Sequence, residues 1–143
     1  MKKVIGYTTG VYDMFHIGHL NILKRAREQC DYLIVGVSTD ELVESYKHKK
    51  PIIPYEERFA IVEAIKYVDR VVPQTSMDKL AAWHALHYDV LFHGSDWQNS
   101  AMYNQIIEDL RTVGAEVVFI PHTVGVSSTL LSEVLQKIQE DKE

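Results

Sequence analysis

The chain predicts a doubly wound α/β domain built on a parallel sheet of about five strands, and two observations carry that prediction. Short apolar runs alternate with helical patterns along the whole length. Several of the runs are also apolar on both parities, as in Leu33-Ile34-Val35-Gly36-Val37, which suits a strand covered by helices on both faces.

Taken in order, the expected strands are Val4 to Thr8, Tyr32 to Val37, Arg70 to Val72, Asp89 to Phe92 and Glu116 to Ile120. Between them Ile17, Leu20 and Leu23 recur at helical spacing, as do Phe59, Val62 and Ile65, then Ile106, Ile107 and Leu110. A last helix is expected from about Ser128, with Leu131, Val134, Leu135 and Ile138 on one stripe and Ser127 or Ser128 as its N-cap. The order strand, helix, strand repeats, which predicts a parallel sheet with right-handed crossovers. At 143 residues and 46% hydrophobic content the chain reads as one domain, 1–143, with no internal repeat or linker and a frayed tail from Gln139.

Composition excludes several classes. No apolar run approaches membrane-spanning length, and Val4-Ile5 is too short for a signal-peptide core, so a soluble, cytoplasmic protein is expected. The single cysteine, Cys30, makes no intrachain disulfide and reads as a half-buried residue after a helix. A net charge of −5 argues against nucleic-acid binding, which needs a broad basic surface. Positive charge is concentrated instead in Lys47-His48-Lys49-Lys50, so a small anion bound locally is expected.

In such sheets ligands bind beyond the carboxyl ends of the strands. Three connections have the residues for it: Thr8 to His19, Thr39 to Arg58, and His122 to Thr129, all read as loops leading into helices. The first delivers His16 and His19 to a helix N-terminus, where unpaired N–H groups and the helix dipole attract phosphate. Gly18 lets a ligand approach the backbone, and partly protonated imidazoles would oppose charge on a leaving group. A metal pair or two ordinary surface histidines are the competing readings, but a metal pair lacks further ligands; His84 and His87 share the spacing on a helix without Cys or an HExxH pattern. The third connection, Gly125-Val126-Ser127-Ser128-Thr129, offers hydroxyls and N–H groups at a helix start, as a second anion site and as a plain N-cap at once. It lacks the closing glycine of a nucleophile elbow, which argues against a hydrolase.

His16-Ile17-Gly18-His19 resembles the His-x-Gly-His signature of a Rossmann-like nucleotidyltransferase superfamily. Gly10-Val11-Tyr12-Asp13, Tyr55-Glu56-Glu57-Arg58, Tyr67-Val68-Asp69 and Gly125 to Thr129 resemble, in order, motifs of its cytidylyltransferase branch. The resemblance implies attack by a substrate phosphate on the α-phosphate of CTP, with Mg2+ bound to the nucleotide, no metal ligand set from the protein, and a homodimer. It implies catalytic roles for His16, His19, Lys47 and Lys49, and nucleotide contacts from Gly10, Val11, Tyr12, His122 and Gly125 through Thr129. It implies substrate contacts from Lys47, Arg58, Lys79, Asp96 and Trp97, while Glu56 and Glu57 read as first-turn residues. Gly94-Ser95-Asp96-Trp97 resembles the Gly-Asp-Asp-Trp segment of glycerol-3-phosphate cytidylyltransferases, and Trp97 reads equally as a core residue. Gly10 to Met14 reads closer to ethanolamine-phosphate cytidylyltransferases, which usually carry two such domains, so glycerol 3-phosphate is the expected acceptor; phosphoethanolamine and phosphocholine are the alternatives. One departure stands out: His122 occupies a position where relatives carry arginine, which raises the competing reading of an inactive nucleotide-binding regulator.

Overall fold

A computed structural model describes residues 3–121 and 134–138. Five parallel strands, β1 (Ile5–Gly10), β2 (Tyr32–Ser38), β3 (Arg70–Gln74), β4 (Val90–Gly94) and β5 (Glu116–Ile120), form one sheet in the order β3-β2-β1-β4-β5. The expected fold class is therefore observed. Helices α1 (Ile17–Glu28), α2 (Asp40–Lys47), α3 (Tyr55–Glu63), α4 (Lys79–Leu86) and α5 (Ala101–Arg111) connect the strands, and residues 134–138 are helical.

Two apolar layers hold the sheet. On one face Leu23 and Ala26 of α1 and Val62 of α3 pack with Leu33, Val35, Val37 and Phe92. On the other, Tyr103, Ile106 and Leu110 of α5 pack with Tyr7, Ile34, Tyr88 and Leu91. β2 serves both layers at once, which is why its sequence shows no alternation. At the amino-terminal edge aspartates fasten the strand starts: Asp31, Asp89 and Asp69 accept from the amides of Val4, Ile5 and Leu33, each at 2.8 Å. Asp69 also pairs with Arg27 at 3.0 Å, so the Tyr67-Val68-Asp69 segment ties the sheet together on the side away from the strand ends that matter below.

The structure differs from expectation in three places. The segment 39–58 is not one loop: Thr39 caps α2 through its hydroxyl, and α3 begins at Tyr55. β1, β3 and β4 each run two residues further toward their carboxyl ends than the apolar pattern suggests. His87 lies one residue beyond α4 in the left-handed region, and His84 and His87 flank the Trp83 ring.

The strand order reverses direction between β1 and β4. Connections from β1 and β4 diverge to opposite faces there, opening a crevice at the carboxyl edge.

Candidate active site

Every buried polar or charged residue among the described residues, Thr8, Thr9, Asp13, Ser38, Arg58, Gln74 and Lys79, lies at that carboxyl edge. Burying such groups costs stability unless they are paired, so their concentration marks where the fold accommodates polarity. A cavity of about 570 Å³ opens above them. Gly10, Val11, Tyr12 and His19 form its floor, Lys47, Lys49 and Lys50 one wall, and His93, Asp96 and Trp97 another.

The floor begins where β1 ends. Tyr12 and Met14 adopt left-handed backbone (φ 55° and 48°), and the Tyr12 ring folds back over Gly10, where a Cβ would lie 2.9 Å from it. Gly10 is needed for that close approach. The buried Tyr12 ring stands edge-on to His19 at 5.5 Å, Phe15 lies 5.2 Å away, and His16 stacks on His19 at 4.0 Å.

The two histidines cap α1 reciprocally. His16 Nδ1 accepts from the Gly18 amide at 3.0 Å, and His19 Nδ1 accepts from the His16 amide at 3.2 Å. A neutral imidazole has one donor and one acceptor nitrogen, so both rings carry their hydrogen on Nε2. Burial, and secondarily the His16 charge, pushes the His19 pKa down to about 3; burial also lowers that of His16. This corrects the expectation of partial protonation: near neutral pH both rings present neutral Nε2–H donors. The first turn of α1 has no acidic residue, which leaves its amide dipoles open to an anion.

On the lysine wall, Lys47 is the last residue of α2 rather than a loop residue, and His48 follows in the left-handed region as its C-cap. Partial desolvation and then the neighbouring Lys49 charge lower the Lys47 pKa, while Asp13 opposes them. The site thus holds cationic groups close together, awaiting negative charge.

Two expected substrate residues lie elsewhere. Arg58 is fully buried, and its guanidinium donates to the carbonyls of Ile53 (2.8 Å), Val11 (2.7 Å) and Ser38 (2.7 Å) and to Asp40 (2.6 Å). It is a strut beneath the site, with its donors committed to the protein. Lys79 is 3% exposed, and its ammonium donates to Thr9 Oγ1 at 2.8 Å, just under the cavity floor. Asp96 and Trp97 do line the cavity from the turn after β4; Trp97 is 39% exposed, so it is not a core tryptophan. His16 stands behind His19. His122 and Gly125 through Thr129 lie outside the described residues. Asp13 and His93 line the cavity and were not singled out from sequence; the left-handed residues on both sides of Asp13 become visible only in the fold.

Burial lowers the Lys79 pKa from 10.5 to about 8. Between those values the unfolded chain binds the proton and the folded one does not, so the penalty is full below pH 8 and vanishes as pH rises toward 10.5. Lys79→Met is therefore expected to be more stable than wild type at pH 7 by about 2–3 kcal/mol. The gap should close by pH 10.5, as thermal denaturation across that range would record.

The profile of the Cytidylyltransferase-like family matches residues 7–134. The chain is 39% identical to the glycerol-3-phosphate cytidylyltransferase of Staphylococcus aureus, over 94% of this chain and 96% of that one. It is 41% identical to the ethanolamine-phosphate cytidylyltransferase of Mus musculus, over 84% of this chain but 30% of that longer protein. Among solved structures, a lipopolysaccharide core biosynthesis protein of Thermoplasma volcanium superposes with a TM-score of 0.71 over 85% of this chain and 98% of its own, at 23% identity, a likeness of fold. The paired imidazoles at a helix start, the lysine wall facing them and the match across nearly the whole length lead to one conclusion: the chain belongs to the cytidylyltransferase-like family.

Proposed function

We propose that this protein transfers the cytidylyl group of CTP to sn-glycerol 3-phosphate, giving CDP-glycerol and pyrophosphate. The observation that carries the chemistry is the neutral His19 Nε2–H donor at the α1 N-terminus, backed by the stacked His16 ring and facing Lys47, Lys49 and Lys50 across one cavity. No activated nucleophile is required of the protein. A phosphate oxygen of the acceptor attacks the α-phosphorus of CTP, a new P–O bond forms as the α–β bridging bond breaks, and the bond's electrons leave with pyrophosphate. His16 and His19 donate to oxygens on which charge accumulates, and the lysines hold acceptor and nucleotide phosphates in line.

The acceptor is inferred from relatives: the likeness to the glycerol-3-phosphate enzyme of Staphylococcus aureus spans 94% of this chain, against 84% for the ethanolamine-phosphate enzyme of Mus musculus. Phosphoethanolamine and phosphocholine remain the alternative acceptors. CTP enters as its Mg2+ complex, in which the metal offsets phosphate charge. Asp13, the carboxylate of the cavity floor, accepts two backbone amides instead. Asp96 and Trp97 offer an acceptor and an aromatic face to the substrates. Lys79 acts on the acceptor phosphate from below, through the Thr9 edge, so that Lys79→Met gains stability and loses acceptor affinity. His122 and Gly125 to Thr129 complete the nucleotide site. The protein works in the cytoplasm as a homodimer, a state that sedimentation equilibrium tests. No helix among the described residues is long and apolar enough to cross a membrane.

Lys47→Ala or Lys49→Ala is expected to raise the KM for CTP or acceptor about 10- to 100-fold, the worth of one charge-assisted phosphate contact. The melting temperature should not change, because these side chains are exposed. Steady-state kinetics with glycerol 3-phosphate checks this; unchanged KM values would make them surface charges.

A further inference from the structure

From Lys49 the chain reads Lys-Lys-Pro-Ile-Ile-Pro, so between Pro51 and Pro54 only Ile52 and Ile53 carry an amide hydrogen. Each proline also pushes the residue before it toward extended backbone, which straightens the segment. Both remaining amides go to one carboxylate: Ile52 N–H donates to Asp13 Oδ2 and Ile53 N–H to Asp13 Oδ1, each at 2.9 Å. The Ile53 carbonyl in turn accepts from Arg58 Nε at 2.8 Å. The same guanidinium holds the carbonyl of Val11, two residues before Asp13.

The segment is thus gripped by two opposite charges, Asp13 on its donors and Arg58 on its acceptor. Asp13 is buried, 39 and 40 residues away in sequence from its partners, and flanked by the left-handed Tyr12 and Met14. The loop therefore adopts an unfavourable backbone at the very place where it delivers this carboxylate. Upstream, Lys47 is fixed by α2 and its left-handed cap His48. Only 49–51 lie between these two anchors, and Lys49, Lys50 and Pro51 all line the cavity. Among the described residues no cluster of three potential metal ligands exists, and both Asp13 oxygens are engaged, so the geometry does not read as a metal site.

We infer that Asp13 is a positioning residue that sets the reach of the lysine wall, by fastening the downstream end of the lysine segment to the loop that carries Gly10 to Tyr12. The inference rests on the proposed phosphate-holding role of Lys47 and Lys49. A lysine is a point charge on a flexible stem, so its contribution depends on where the backbone holds it. Displacement by about 1 Å costs as much as about 100-fold in rate.

The test has one arm on the free protein and one on turnover. In wild-type protein, hydrogen exchange at the Ile52 and Ile53 amides should be about 10- to 100-fold slower than at Lys49 and Lys50, the worth of a bond to a charged acceptor. Equal rates would overturn the clasp whatever reaction the protein catalyses. In Asp13→Asn, which keeps the side-chain shape and one acceptor oxygen, the amide that meets the new NH2 group should speed up by about the same factor and the other by less, while those of Val35 and Leu91 stay protected. Trypsin should also cut faster after Lys49. The turnover arm compares Asp13→Asn in wild type and in Lys47→Ala/Lys49→Ala. A loss of about 10- to 100-fold in kcat/KM for the acceptor in the first, and less than about threefold in the second, is expected, because the lysines are the route of the effect. Equal losses in both backgrounds would overturn the positioning role. If wild type turns over no cytidylyl acceptor, the proposed reaction fails, and the exchange arm still decides the clasp.

Discussion

His19→Ala should lower kcat by about 100- to 1,000-fold, the cost of removing one preorganised donor from developing negative charge, while the KM for CTP changes by less than about threefold. Because His19 Nδ1 accepts the His16 amide, the hydrogen sits on Nε2, and because burial lowers the pKa to about 3, the ring donates without being a cation. A neutral donor gains little from a ground-state phosphate that water solvates well. It gains more from a leaving group whose charge grows during bond cleavage. Alanine also removes an acceptor from the His16 amide and half of the α1 cap, so a loss of about 1 kcal/mol in stability should accompany the kinetic loss. His19→Gln, whose amide supplies a donor, should recover part of kcat. Steady-state kinetics on the three proteins decides it: a rise in KM with kcat unchanged would mean that His19 serves binding alone.

The second large effect is on stability. Arg58→Ala should destabilise the protein by about 3–5 kcal/mol, the usual consequence of removing one partner from a buried charged network. The Val11, Ser38 and Ile53 carbonyls and Asp40 would all lose their donor together. For a chain of this length that corresponds to a fall in melting temperature of about 10 °C or more. A shift of less than about 2 °C would show that water replaces the guanidinium at little cost. The contrast with Lys79→Met is informative, since that buried cation has one hydrogen bond and its removal is expected to raise stability at neutral pH.

These residues also show what sequence could and could not convey. β2 was legible because full burial on both faces leaves a uniformly apolar run, and the start of α1 because its histidines and apolar period are local, although their reciprocal cap was not. α2 was hidden: Val43 is its one buried residue, so there is almost no apolar period to detect, although Thr39 followed by Asp40 and Glu41 carried a start signal. α4 was read only around its histidines, since its buried residue is a lysine. The roles of Arg58 and Asp13 are not visible in the sequence, because they lie in partners 20 to 47 residues away. An arginine at a helix start looks the same in sequence whether it faces a phosphate or three carbonyls. Spacing locates the loops that meet at the crevice, but which side chains face the ligand and which brace the walls is decided by long-range packing.

The most direct test of the central claim is pyrophosphate release with Mg2+, across CTP, ATP, GTP and UTP, each with glycerol 3-phosphate, phosphoethanolamine or phosphocholine. Release with CTP and glycerol 3-phosphate is expected at least about tenfold above every other pair, and is expected to be lost in His19→Ala. Release from no pair, with CTP still bound, would contradict it and would make the protein a nucleotide-binding regulator, with His122→Arg the reversion to try.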